Sequence, residues 1–111
     1  LAAPDGPLFA FIEKVRAQLP ADAKRVFVAS DAHFFRSRAA YHLYPHNVYA
    51  DAFRNVMPPP ELLRRGDWVV VYQRRGMQYD AGARQLRWDG LAPVAADMKL
   101  SDAGAALFEI R

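Results

Sequence analysis

An α/β domain with parallel strands at its centre is the fold this 111-residue sequence predicts. Three observations carry that prediction. Val26, Phe27, Val28 and Ala29 form an unbroken apolar run, the pattern of a strand covered on both faces. Trp68-Val-Val-Val-Tyr72 is β-branched or aromatic at every position, the strongest strand signal in the chain. Between the two, a helical pattern stopped by Pro45 leads into a second short apolar run, Asn47–Ala50. Strand, helix and strand joined by such short connections imply a right-handed βαβ unit. The expected architecture is three-layer, with helices on the faces of the sheet and antiparallel hairpins added at its end.

The elements follow in order. Asp5 is placed to cap a helix whose first turn contains Pro7. Leu8, Phe11, Ile12, Val15 and Leu19 then fall on one helical face, with Glu13, Lys14, Arg16 and Gln18 outside, and Pro20 ends the helix. That face is core-forming, because mixed charge on the polar side disfavours a membrane-surface helix. After Val26–Ala29 come Ser30 and Asp31, both good helix caps, and a helix through Phe34, Phe35, Arg38, Ala39 and His42 ends near Tyr44. Asp51–Met57 fits either a helical turn or a loop. Pro58-Pro59-Pro60 is a stiff break before a short helix at Glu61–Arg65, with Gly66 as its cap. Trp68–Tyr72 is expected beside Val26–Ala29 in the sheet centre. Met77–Asp80 and Gln85–Trp88 form one hairpin, and Val94–Leu100 and Ala105–Ile110 form a second across Ser101–Gly104.

Length predicts one domain, 1–111, able to bury roughly two-thirds of its unfolded surface. Apolar residues make up 52% of the chain, which excludes a disordered segment. The chain has no cysteine, so disulfides, thiolate catalysis and cysteine-ligated zinc are excluded. No apolar run reaches the ~20 residues of a membrane-spanning helix, and the start lacks a signal-peptide pattern. Because it begins at Leu1, the chain is expected to be a piece cut from a longer protein. The net charge of +3 is concentrated in residues 33–75, where Arg36, Arg38, Arg54, Arg64, Arg65, Arg74 and Arg75 face only Asp51, Glu61 and Asp67. Arginine-rich surface favours phosphate or carboxylate contact, although a coding bias toward arginine and alanine produces the same composition.

The candidate chemistry is sparse. Ser30 and Asp31 lie where a parallel strand is expected to run into a helix, the usual place for ligands in open α/β sheets. The plain alternative is that they only cap the helix. Neither GxGxxG nor GxxxxGK[ST] is present, so no dinucleotide or P-loop cofactor is called for. His33, His42 and His46 do not make a metal set, since Pro45 breaks the helix between the last two. Tyr41, Tyr44, Tyr49, Trp68, Tyr72 and Tyr79 have spacings that suit core packing as well as ligand stacking. Arg64-Arg65 and Arg74-Arg75 flank one strand and form no single basic stripe, which disfavours nucleic acid. GxSxG is absent as well, and no paired acids stand in a hydrolase context. No catalytic residue and no metal ligand is therefore assigned. The candidate ligand-binding residues are Ser30, Asp31, His33, Arg36, Arg38 and Tyr41.

The run Arg36, Arg38, Tyr41, Leu43, Tyr44 and Pro45, following the strand to Asp31, resembles a segment in soluble C-terminal parts of bacterial multi-pass membrane proteins. Those proteins are similar to glycosyltransferases that use polyprenyl-phosphate sugars. Arg64, Arg65, Gly66 and Asp67 before Trp68–Tyr72, and the ending Leu107–Arg111, fit the same pattern. The resemblance implies an extracytoplasmic domain, on the periplasmic side of a bacterial membrane, attached to the membrane portion of its own polypeptide. Catalytic acids in such transferases belong to the membrane region, so none carries over. The expected role is non-catalytic: shaping a substrate or partner site near the bilayer, with anionic lipid or a lipid-linked phosphate as a further partner. The alternative is a stand-alone cytosolic module that binds a phosphorylated small molecule at Ser30-Asp31.

Overall fold

The computed structural model describes residues 6–23, 25–30, 43, 48–50, 59–102 and 104–111, with backbone alone for 6–9 and 48–50. Helix α1 spans Gly6–Gln18, stopped ahead of Pro20, and buries Phe11, Ile12, Val15 and Leu19 as the spacing predicts. Strands β1 (Val26–Ser30), β2 (Val48–Ala50), β3 (Trp68–Tyr72), β4 (Met77–Asp80), β5 (Gln85–Trp88), β6 (Val94–Asp102) and β7 (Ala105–Ile110) follow. They form one mixed sheet in the order β2-β1-β3-β7-β6-β5-β4. β1 runs parallel to both neighbours, with Val26 opposite Val48 on one side and Trp68 on the other. All remaining pairings are antiparallel. The two strands joined by residues 31–47 thus lie side by side, and Trp68–Tyr72 stands beside them as expected. Asp5, the helix expected to end near Tyr44 and the 51–57 segment lie outside the described residues.

Alternation along the central strands divides the core into two. Val26, Val28, Trp68, Val70 and Leu107 face α1, while Phe27, Ala29, Val69, Val71 and Phe108 face the opposite way. A second helical layer was expected on that opposite face. Among the described residues it is covered instead by the sheet itself, through Leu86 and Trp88 of β5. In a flat sheet, β4 and β7 would lie three strand spacings apart, about 14 Å. Yet the rings of Tyr79 on β4 and Phe108 on β7 are 4.9 Å apart between centroids, and the Tyr79 hydroxyl donates to the Ala96 carbonyl at 2.9 Å. The far end of the sheet must therefore curl back over its own face. Buried Leu86 and Trp88 alternate with exposed Gln85 and Arg87, which is the period this closure requires.

The short helix expected at Glu61–Arg65 is a single 3-10 turn, Pro60–Leu62, with Leu63 already extended. Gly66 is accordingly not a helix cap. With φ +92° it forms the turn that enters β3, donating its N–H to the Ile110 carbonyl at 2.9 Å. Asp67 follows, and its carboxylate explains the arrangement. It accepts from Arg25 Nε at 3.0 Å, Arg25 Nη2 at 2.6 Å and the Arg64 backbone N–H at 2.8 Å. Arg25 Nη2 also donates to the Leu62 carbonyl at 3.0 Å, and the guanidinium lies 5.2 Å from the centre of the Phe27 ring. The Asp67 side chain is 5% exposed and that of Arg25 29%, so removing one partner leaves an ion with little water to replace it.

Arg25→Ala is expected to cost about 3 kcal/mol in urea unfolding, because it strands the buried Asp67 carboxylate. The double variant Arg25→Met/Asp67→Leu should be less destabilised than the sum of the singles; additivity would show that the pair is not coupled. Tyr79→Phe should cost about 1 kcal/mol by loss of the bond to Ala96. Unchanged stability would mean that this hydroxyl does not hold the curled end.

Candidate functional site

Parallel strands ordered β2-β1-β3 create a particular place. The chain leaves β1 to one side to form β2, then crosses back past β1 to form β3 on the other side. Leu43, between β1 and β2, is buried in the cluster on the α1 face, whereas Leu63, between β2 and β3, packs on the opposite face. The strand order thus reverses at β1, as at a switch point of an open α/β sheet. In open α/β sheets, ligands bind in the crevice at such a switch point.

Two residues meet there. Ser30 ends β1 opposite Tyr72 at the end of β3, both on the α1 face. Ser30 is fully buried, and Tyr72 is half-buried with its ring 6.0 Å from that of Phe11 on α1. β2 pairs with β1 from Val48 opposite Val26 to Ala50 opposite Val28. Of the candidates read from sequence, Ser30 is described, buried at the carboxyl end of β1. Asp31, His33, Arg36, Arg38 and Tyr41 lie outside the described residues, as do His42 and His46. The chain enters that segment directly from Ser30.

The loop after β3 follows directly from Tyr72, and sequence patterns did not point to its structure. Gln73 takes a left-handed backbone at φ 49° while its N–H donates to the Gly104 carbonyl at 2.8 Å. Arg74 then turns inward, with a side chain only 4% exposed, and grips Asp89 through Nη1 at 3.0 Å and Nη2 at 2.8 Å. It also donates to the Arg75 carbonyl. Gly76, at φ +82°, sits so close that a Cβ would lie 2.7 Å from Asp89 Oδ1. The nearby double arginine thus divides its work: Arg74 fastens the loop, and Arg75 is exposed. Arg64-Arg65 lies at the other end of β3, so the two pairs make no common stripe.

Arg25 with Asp67, Arg74 with Asp89, Lys14 with Asp102 and Lys99 with Glu109 are dispersed ion pairs that tie elements together. Among the described residues no three His, Cys, Asp or Glu side chains are grouped to hold a metal, and no helix is long and apolar enough to cross a membrane. Trp68 and Trp88 are buried in the core, and Tyr79 is half-buried against it, so these aromatic rings pack the sheet.

No protein-family model matches the chain, and neither the curated proteins nor the solved structures contain a match.

The switch point makes a demand on packing at Ser30. Ser30→Leu should lower stability by about 1–3 kcal/mol in urea unfolding, because a fully buried strand end has no room for the added carbons. A variant as stable as the parent would show an open strand end.

Proposed function

We propose that this chain is a non-catalytic domain of a bacterial membrane protein similar to polyprenyl-phosphate-sugar glycosyltransferases, standing on the periplasmic side. Its role is to shape a substrate or partner site near the bilayer. The observation that supports the reading is the parallel pairing of β1 and β2, the two strands that residues 31–47 join. That segment contains Asp31, His33, Arg36, Arg38 and Tyr41, the residues that sequence reasoning singled out. Its conformation as the helical crossover of a βαβ unit, in a three-layer domain, belongs to the same proposal; parallel β1 and β2 and the burial of Leu43 support it. The membrane setting rests on the resemblance of the Arg36–Pro45 run. The non-catalytic role is supported by the dispersal of the described acids and bases among ion pairs.

In this reading Arg36 and Arg38 face anionic headgroups or a lipid-linked phosphate. A basic side chain near an anionic membrane contributes about 1 kcal/mol. Arg36→Ala/Arg38→Ala should therefore weaken co-sedimentation with phosphatidylglycerol vesicles by about 30-fold, and binding by the parent should fade with salt. Equal binding to neutral vesicles, or none at all, defeats the lipid part.

The position of Ser30 at the carboxyl end of a parallel strand, opposite Tyr72, also supports a second reading, a stand-alone cytosolic module that binds a phosphorylated small molecule at Ser30-Asp31. Thermal-shift measurement with sugar phosphates separates the two. A ligand at 100 times its Kd adds about 2.7 kcal/mol of stability. Stabilisation without vesicle binding selects this reading.

A further inference from the structure

The opposite end of the sheet carries a second cluster of charge that the proposed function does not use. The Gly66 turn and the end of β7 are laced together, Gly66 N–H to the Ile110 carbonyl at 2.9 Å and Ile110 N–H to the Asp67 carbonyl at 2.8 Å. Beside this seam opens a cleft of about 580 Å³, lined by Arg65, Gly66, Asp97, Glu109, Ile110 and Arg111. Asp97 on β6 and Glu109 on β7 are register partners, so their carboxylates stand next to each other on one surface of the sheet.

Cations outnumber these carboxylates. Asp97 Oδ1 is shared by Arg84 Nε at 3.2 Å and Arg111 Nε at 3.6 Å, and Glu109 is met by Lys99 Nζ at 3.5 Å. Arg65 is exposed and makes no ion pair among the described residues. Arg65 and Arg111 line the cleft together with Asp97 and Glu109, and Arg84 and Lys99, outside the lining, each pair with one of those two carboxylates; the four cations of the cluster thus outnumber its two carboxylates by two. Arg84 and Arg111 both approach Asp97 through Nε, which leaves their Nη groups without a hydrogen-bond partner among the described residues. Arg84 is held there by a left-handed backbone at φ 55°, with its carbonyl accepting from Ala96 N–H at 3.0 Å. A strained non-glycine residue that aims a guanidinium at an already paired carboxylate gains little stability from that aim.

We propose that this cleft binds a dianionic phosphate group, held by the guanidiniums of Arg65 and Arg111 with Arg84 completing the charge. Planar guanidinium forks match phosphate oxygens, and a phosphate dianion balances the surplus that Asp97 and Glu109 leave. The two structural carboxylates keep the arginines ordered and repel ligands that approach from their side. The phosphate comes either from a soluble phosphate ester or diphosphate, or from a monoester lipid headgroup at a membrane surface.

The test uses the whole chain, with pyrophosphate and glycerol 3-phosphate as soluble probes and phosphatidic-acid vesicles as the lipid probe, all at matched ionic strength. Backbone amide shifts in NMR should move at Arg65, Gly66 and Arg111, and Arg65→Ala/Arg111→Ala should weaken binding about tenfold or more. Lys14→Ala, which removes an exposed lysine paired with Asp102 away from the cleft, should leave binding unchanged. Shifts with the soluble probes assign a free phosphate ligand, and binding to vesicles alone assigns a headgroup. The proposal is overturned if sodium chloride reproduces the shifts, if none of the probes binds, or if Arg65→Ala/Arg111→Ala binds like the parent while Arg36→Ala/Arg38→Ala does not.

Discussion

The carboxylate of Asp67 is the constraint on which the arrangement of this sheet depends. Parallel strands cannot be registered by a tight hairpin, so something else must decide which residues stand opposite one another. Here Arg25 precedes β1 and Asp67 precedes β3, and their paired hydrogen bonds bring Val26 opposite Trp68. The backbone continues the statement, Trp68 N–H donating to the Arg25 carbonyl at 3.0 Å. A slip of β1 by one residue against β3 would place Phe27 and Ala29 on the α1 face and send Val26 and Val28 to the other. The same register, counted to the far end, sets Ser30 against Tyr72. The placement of Ser30 opposite Tyr72 is thus tied to an ion pair at the opposite end of the strands.

A second constraint is closure. A sheet with antiparallel strands added at one side exposes an apolar face unless something covers it. This chain covers that face by curling the β4–β5 hairpin inward, so that Leu86 and Trp88 join Phe27 and Val71 in one buried cluster. Arg74 and Asp89 fasten the base of that hairpin, bridging the loop before β4 and the turn after β5. The loop that follows Tyr72 is therefore tied to the closure of the core.

Charge has two uses in this molecule. Most described acids are taken by a neighbouring cation in a pair that ties distant parts of the chain. Among the described residues, Arg65 lies exposed at the amino end of β3 without an ion pair, and Arg111, which lines the same cleft, shares Asp97 with Arg84.

Local chemistry determined much of this by itself. The hairpin strands Met77–Asp80 and Gln85–Trp88 are legible because side chains alternate with period two, and α1 because its apolar residues share one helical face. Ser30 was legible as a site candidate because a buried run gives way there to small polar residues. Three things required the tertiary structure. The Arg25–Asp67 pair links residues 42 apart, and no spacing rule spans that distance. The curl of the hairpin over the sheet was not legible, since alternation reveals which residues are buried but not what buries them. The short helix at Glu61–Arg65 gave way to a 3-10 turn because Asp67 claims the Arg64 N–H and Arg25 claims the Leu62 carbonyl. Strand content is written in neighbouring residues; strand order, closure and charge pairing arise from contacts between residues far apart in the chain.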